Sequence, residues 1–227
     1  MTAVASVLAE RRHVLLDFDG PVCGVFSAIT DRVVADRLRR LLPGELPEEV
    51  AEAHDPFDVL RYAAGLDVDL AAEVEAEFQR QECAAVDEAA PTPGAFETIH
   101  RLADGGHVVT IVSNNSTEAV RRFLILHELR NRVQGVSARN DADPEHLKPQ
   151  PYLLHRAMRQ QSTEPDQCVM VGDSVSDIQA ATAAGVAAIG YANKPGKRET
   201  FQAHRPAAII ADMHELRGAL HTRATST

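Results

Sequence analysis

Two acidic signatures each close a short apolar run. His13–Phe18 (HVLLDF) leads into Asp17-Phe18-Asp19-Gly20, and Cys168–Val171 (CVMV) leads into Gly172-Asp173-Ser174-Val175-Ser176-Asp177. Apolar runs of this length read as buried parallel strands, and ligands bind just beyond the carboxyl ends of such strands. Asp17 and Asp19 are two residues apart and so face the same way on an extended chain, while Gly20 permits a sharp turn. Carboxylates gathered there would repel one another without a cation among them, so the pattern asks for a hard divalent metal. A carboxylate-held metal beside an anion-binding loop is equipment for phosphoryl transfer. A calcium loop of the D-x-D-x-D-G kind does not fit, because its fifth position would be Pro21 and its twelfth Ala28. An ordinary solvated turn remains open for an Asp-x-Asp-Gly taken alone.

Other residues could complete such a site. Ser113 ends the apolar run Val108–Val112 and precedes Asn114-Asn115, where a hydroxyl could donate to a phosphate or simply cap a helix. Lys148 precedes Pro149, and the chain holds only three lysines against 20 arginines, so a lysine here mildly favours a specific role over a solvated charge. Arg61 could meet an anion or face solvent. The run Lys194–Arg198 could help to hold a substrate anion, but it is not a nucleotide P-loop. Five residues separate Gly190 from Gly196, and Arg198 stands where Ser or Thr is required. Cys23 fits packing near the first signature better than a reactive role.

The elements that must position these residues follow from periodicity. Ile29–Leu42 places Ile29, Val33, Val34, Leu38, Leu41 and Leu42 on a 3.6-residue period, and Asp55–Ala64 and Asp69–Val86 read as two more helices. From Gly94 onward helices and strands alternate. Helices are expected at Ala95–Ala103, Thr117–Leu126, Pro151–Gln160, Ser176–Ala184 and near His214–Leu220. Strands are expected at Val108–Val112, Val133–Val136, Val169–Val171, Val186–Ile189 and Ala207–Ala211. The alternation predicts an α/β fold, a three-layer Rossmann-like core with a mostly parallel sheet. Residues 1–23 and 91–227 would form that core, and 24–90 an inserted all-helical cap. The tail Thr222–Thr227 is expected to fray.

Bulk properties bound the function. The chain has 227 residues, 44% hydrophobic and 25% charged, as expected of a globular protein with room for a core and an added module. Its formal charge of −10 lies wholly between Gly24 and Ala90, where 16 acidic residues face 6 basic ones. That excess argues against a nucleic-acid partner. Three cysteines without CxxC spacing and ten scattered histidines suggest neither a disulfide framework nor a zinc site. No secretory signal or membrane-spanning run is evident, so a cytoplasmic protein with no membrane partner is expected.

Taken together, Asp17-x-Asp19-Gly20, Ser113, Lys148-Pro149 and Gly172-Asp173-x-x-x-Asp177 resemble the four motifs of the haloacid dehalogenase superfamily, in the family's order. The helical insert resembles that family's cap of the first type. The resemblance implies a phosphatase, phosphoglycolate phosphatase-like, that hydrolyses a small phosphorylated metabolite through an aspartyl-phosphate. A phosphomutase and a catalytically idle binding domain are the alternatives. Asp17 would be the nucleophile and Asp19 the acid and base. Mg2+ would be held by Asp17, the carbonyl of Asp19, Asp173 and, directly or at one remove, Asp177. Ser113 and Lys148 would bind phosphate oxygens, with Gly20 and Asn114 also at the substrate. Asp19 itself argues for an oxygen leaving group, because a halide needs no proton on departure. Pro21 stands where the family usually has threonine, which leaves the conformation of this loop open.

Overall fold

A computed structural model of the chain describes residues 2–220. The expected fraying of Thr222–Thr227 lies outside them. Six strands form one all-parallel sheet in the order β3-β2-β1-β4-β5-β6. They are β1 (His13–Leu16), β2 (Val108–Ser116), β3 (Gly135–Arg139), β4 (Cys168–Gly172), β5 (Ala187–Tyr191) and β6 (Ala208–Ile210). Alternate residues of β1 face opposite ways. Val14 and Leu16 join one apolar cluster with α1 (Ala3–Glu10), α6 (Ala95–Asp104), α7 (Thr117–Leu126) and α11 (Met213–Ala219). Leu15 joins a second cluster with α8 (Tyr152–Gln161), α9 (Val175–Ala183) and Phe201 of α10 (Lys197–Ala203). Helices on both faces of a parallel sheet explain why its central strands read as unbroken apolar runs. Each fully buried aliphatic side chain there contributes about 1.5–3 kcal/mol.

Register decides where the chemistry emerges. Leu16 of β1 pairs with Ile111 of β2 on one side and Val171 of β4 on the other. Asp17, Val112 and Gly172, the next residues along the three chains, therefore stand at one level, beside the point where the strand order reverses.

Between residues 24 and 90 the regular elements among the described residues are all helices: α2 (Asp31–Arg39), α3 (Glu48–Ala51), α4 (Pro56–Leu66) and α5 (Val68–Val86). They share an apolar cluster that includes Val34, Leu38, Val59, Leu60, Val74 and Phe78. The two passages of chain into and out of this insert lie side by side. Gly24 N–H donates to the Ala90 carbonyl at 3.2 Å, and Thr92 N–H donates to the Val22 carbonyl at 2.9 Å. The insert is not separate throughout, since Ala85 and Val86 at the end of α5 belong to the sheet's cluster.

Several expectations shift. The first insert helix begins at Asp31, capped by Thr30, and ends at Arg39, so Val33 is 40% exposed rather than on the buried face. Asp67, not Asp69, caps α5. The weak strand expected at Val133–Val136 is β3, at Gly135–Arg139. The short helices α1, α3 and α10 were not anticipated; Pro195-Gly196 reads as a turn and conceals the start of α10, which Gly196 opens at φ +82°. β2 continues through the polar residues Ser113–Ser116 instead of stopping at Val112.

That extension survives because its polar groups are satisfied by a buried network. Glu82 of α5 is fully buried and accepts from Asn115 Nδ2 at 3.1 Å, from Ser116 N–H at 2.9 Å and from Arg139 Nη2 at 2.6 Å. Arg139 Nε donates to the Asn114 carbonyl at 3.0 Å, and Nη1 pairs with Glu75. Its guanidinium also lies 4.5 Å from the Phe78 ring centroid. One arginine thus ties the insert to the polar end of β2. Arg139→Met leaves Glu82 charged and unpaired, and it should cost about 3–5 kcal/mol of stability in urea unfolding. Adding Glu82→Gln should recover part of that loss; a single-variant cost under about 1 kcal/mol would contradict this account.

Candidate active site

The loop after β1 carries Asp17, whose N–H continues the sheet by donating to the Val171 carbonyl at 2.9 Å. The turn that follows is closed by Gly20, Val22 and Cys23 N–H groups, with Gly20 donating to the Cys23 carbonyl at 2.7 Å. Pro21 therefore withholds no donor that the turn uses. Gly20 sits at φ +98°, and a Cβ there would lie 2.4 Å from Asp173 Cγ. Gly172 has the same function one strand away, since a Cβ on it would lie 2.3 Å from Asp177 Cγ. Both glycines make room for carboxylates.

Asp17, Asp173 and Asp177 each present an oxygen within 4.8 Å of the others. Lys148, buried to 3% exposure, reaches them from the loop before α8. Its Nζ donates to Asp177 Oδ1 at 2.5 Å and to the Val112 carbonyl at 3.2 Å, and lies 2.8 Å from Asp17 Oδ1. Asn114 fixes the Lys148 backbone from both sides, accepting from its N–H at 2.8 Å and donating to its carbonyl at 3.1 Å. The Asn114 amide, expected at the substrate, is thus spent on holding Lys148, although the residue still lines the cavity. Asp177 Oδ2 accepts from Ser174 N–H at 2.9 Å and Ser174 Oγ at 2.6 Å in a capping box that opens α9.

Asp173 is paired by a residue the sequence only brushed against. Lys197, at the start of α10, donates to the Asp173 carboxylate and to its carbonyl, both at 2.6 Å, and Asn193 Nδ2 donates at 3.1 Å. The Lys194–Arg198 run therefore meets a carboxylate through Lys197, and the helix hidden after Gly196 is what aims it. Arg61 instead binds Asp58 at 2.8 Å and does not line the cavity. Cys23 is fully buried, and burial, with Asp19 and Asp17 nearby, pushes its thiol far up, which suits packing.

Electrostatics follow from crowding. Burial and then the Asp177 charge push the Asp17 carboxyl well up, while Lys148 pulls it back. Burial opposes the Lys148 charge, but Asp17 and Asp177 outweigh it and hold the ammonium protonated. Burial also raises Asp19 to about 6, against the Val25 N–H that bonds it at 2.9 Å. Asp17, Asp19, Asp173 and Asp177 bring four carboxyl groups against the two ammonium groups of Lys148 and Lys197, leaving an excess of negative charge once the acids ionise. An oxygen-only donor set with that residual charge fits one hard divalent cation. Asp17, Asp19, Ser113, Lys148 and Asp173 line a single cavity of about 240 Å³, with Phe26, Asp31, Asp55, Pro56 and Phe57 of the insert opposite.

Residues 54–191, more than half of the chain, match the haloacid dehalogenase-like hydrolase family. The chain belongs to that family. Ser113, Lys148, Asp173 and Asp177 lie inside the matched segment; Asp17 and Asp19 precede it and reach the site through β1. The phosphoglycolate phosphatase of Vibrio parahaemolyticus is 31% identical over 124 residues, 55% of this chain and 54% of that protein. Pyrophosphatase PpaX of Bacillus thuringiensis is 30% identical over 123 residues, 53% of this chain and 55% of that one. The chain thus spans about half the length of the curated relatives it matches. Among solved structures, CbbY from Rhodobacter sphaeroides in complex with phosphate superposes with a TM-score of 0.70 at 17% identity, covering 93% of this chain and 99% of that one. A haloacid dehalogenase-like family hydrolase from Streptococcus pneumoniae gives 0.68 at 16% identity, covering 92% and 98%. At these identities the superpositions establish the shared fold.

The space made by Gly172 can be tested by stability alone. Gly172→Ala should cost about 1–3 kcal/mol in urea unfolding, because buried Asp177 must move. Gly65→Ala, in α4 with open space around it, should instead gain about 0.5–1 kcal/mol. Equal effects at the two positions would show that the close approach at Gly172 is unimportant.

Proposed function

We propose that this protein is a Mg2+-dependent phosphatase that hydrolyses a small phosphorylated metabolite through an aspartyl-phosphate on Asp17. The observation that carries the reading is the convergence of Asp17, Asp173 and Asp177 on one another, with Lys148 among them, in a cavity open to a ligand. Phosphate-monoester hydrolysis brings two anions together and is among the slowest uncatalysed reactions. A covalent step divides that barrier, and fixed positive charge lowers each half.

In the first half, an Asp17 oxygen attacks phosphorus in line with the departing alcohol, and the phosphorus–oxygen bond to that alcohol breaks. Asp19, raised to about 6, donates its proton to the leaving oxygen. In the second half Asp19, now a carboxylate, takes a proton from water as that water attacks phosphorus. The bond to Asp17 then breaks and inorganic phosphate departs. Ser113 and Lys148 line the cavity. Ser113 Oγ donates to Asn115 Oδ1 at 3.1 Å and Lys148 Nζ meets Asp17, Asp177 and the Val112 carbonyl, so each would exchange one of these partners to donate to a phosphate oxygen. Mg2+, when held by Asp17, Asp173 and the carbonyl of Asp19, supplies the charge that lets the phosphate approach Asp17. Both Asp177 oxygens are already engaged, which supports a role for Asp177 as the anchor of Lys148. The insert, residues 24–90, would act as a cap over the cavity, excluding water during the reaction.

Purified protein should hydrolyse p-nitrophenyl phosphate with Mg2+ and lose that activity in excess EDTA. Asp17→Asn should lower the rate by at least about a thousandfold, since no nucleophile remains. Appreciable Mg2+-dependent turnover by Asp17→Asn would end the proposal. Millimolar Mg2+ should also raise the melting temperature, and Asp173→Asn should abolish the rise. A Mg2+ shift that persists in that variant would place the ion elsewhere.

A further inference from the structure

The two halves of the cavity are unlike. On the sheet side the cavity is lined by Lys148 and Ser113 among Asp17, Asp19 and Asp173; the wall supplied by the insert consists of Phe26, Asp31, Asp55, Pro56 and Phe57. No cationic residue of the insert lines it. Arg61, the nearest arginine on α4, is held by Asp58. Arg139 lies 5.9 Å from the Phe57 ring centroid, but it is buried and paired with Glu75 and Glu82. Lys194 is exposed and does not line the cavity, but its charge reaches both Asp19 and Asp31.

Asp31 opens α2, and Asp55 caps α4 by accepting from Phe57 N–H at 2.8 Å. Each helix end carries about half a positive charge, so a full carboxylate charge at each leaves the wall negative. The two aspartates are close enough that, after burial, the Asp55 charge is the main influence raising Asp31. Carboxylates beside aromatic rings form a receptor for an ammonium group: the acids supply charge and acceptors, and the ring faces add cation–π attraction.

We propose that the preferred substrate is an amine-bearing phosphate monoester, its ammonium group received by Asp31 and Asp55 with Phe26 and Phe57 beside it. This deepens the phosphatase reading above and rests on it. A substrate whose far end is a second anion, as in phosphoglycolate or pyrophosphate, would meet two like charges on this wall and no lysine or arginine of the insert.

Three two-carbon esters differing only at the far end isolate the effect: O-phosphoethanolamine, 2-hydroxyethyl phosphate and phosphoglycolate. The kcat/KM values should fall in that order, with the amine ahead of the carboxylate by at least about tenfold at low salt. Asp31→Asn combined with Asp55→Asn keeps side-chain size and helix capping, and it should shrink that ratio to about threefold or less. Equal turnover of the amine and hydroxyl esters, a preference for phosphoglycolate, or a ratio unchanged in the double variant would overturn the proposal. Activity on p-nitrophenyl phosphate separates the two readings. If that ester is hydrolysed while the series is flat or reversed, only the ammonium proposal fails. If it is not hydrolysed, the phosphatase reading fails and this one with it.

Discussion

Repulsion among carboxylates crowded at the ends of β1 and β4 is the constraint to which the rest of the site answers. Asp17, Asp173 and Asp177 share a space only a few ångströms wide, and Asp17 and Asp177 are nearly inaccessible to water. Buried like charges cannot persist without compensation. Lys148 lies between Asp17 and Asp177, and Lys197 pairs with Asp173, so two ammonium groups stand against three carboxylates. A cation among the oxygens would offset the excess.

That balance depends on backbone as much as on charge. The parallel register sets the end of β1 level with Ile111 and Val171, so the acidic residues after β1 and β4 meet the polar extension of β2. Two glycines, Gly20 and Gly172, then clear the space into which Asp173 and Asp177 project. Asn114 holds the Lys148 backbone at the proper depth. Behind it, Glu82 and Arg139 secure the polar end of β2 and join it to α5. A helix of the insert therefore helps to hold the polar end of β2, so packing of the insert and geometry of the cavity are coupled through one buried ion pair.

Much of the fold could be read from pattern. The apolar runs of β1 and β4 and the periodic stretches of α4 and α7 needed only local rules, because burial on one or both faces writes itself into residue spacing. Failures occurred where local polarity misled. Ser113–Ser116 looks like a loop but forms strand, since distant Glu82 and Arg139 satisfy its polar groups. By sequence the Lys194–Arg198 run could hold a substrate anion, but the helix that Gly196 caps points Lys197 at Asp173.

What the sequence determined by itself was the kind of chemistry: carboxylates at strand ends, a glycine turn and a scarce lysine, all set by residue type and short spacing. Only the tertiary structure decided which charges pair with which. Lys148 and Asp177 are 29 residues apart, Lys197 and Asp173 are 24 apart, and Arg139 and Glu82 are 57 apart. Such pairings follow from strand order and helix packing, which no local window contains. The same holds for the insert's wall of the cavity, where Asp31 and Asp55 read locally as helix-starting residues and become a cavity surface only when the insert packs against the sheet's end.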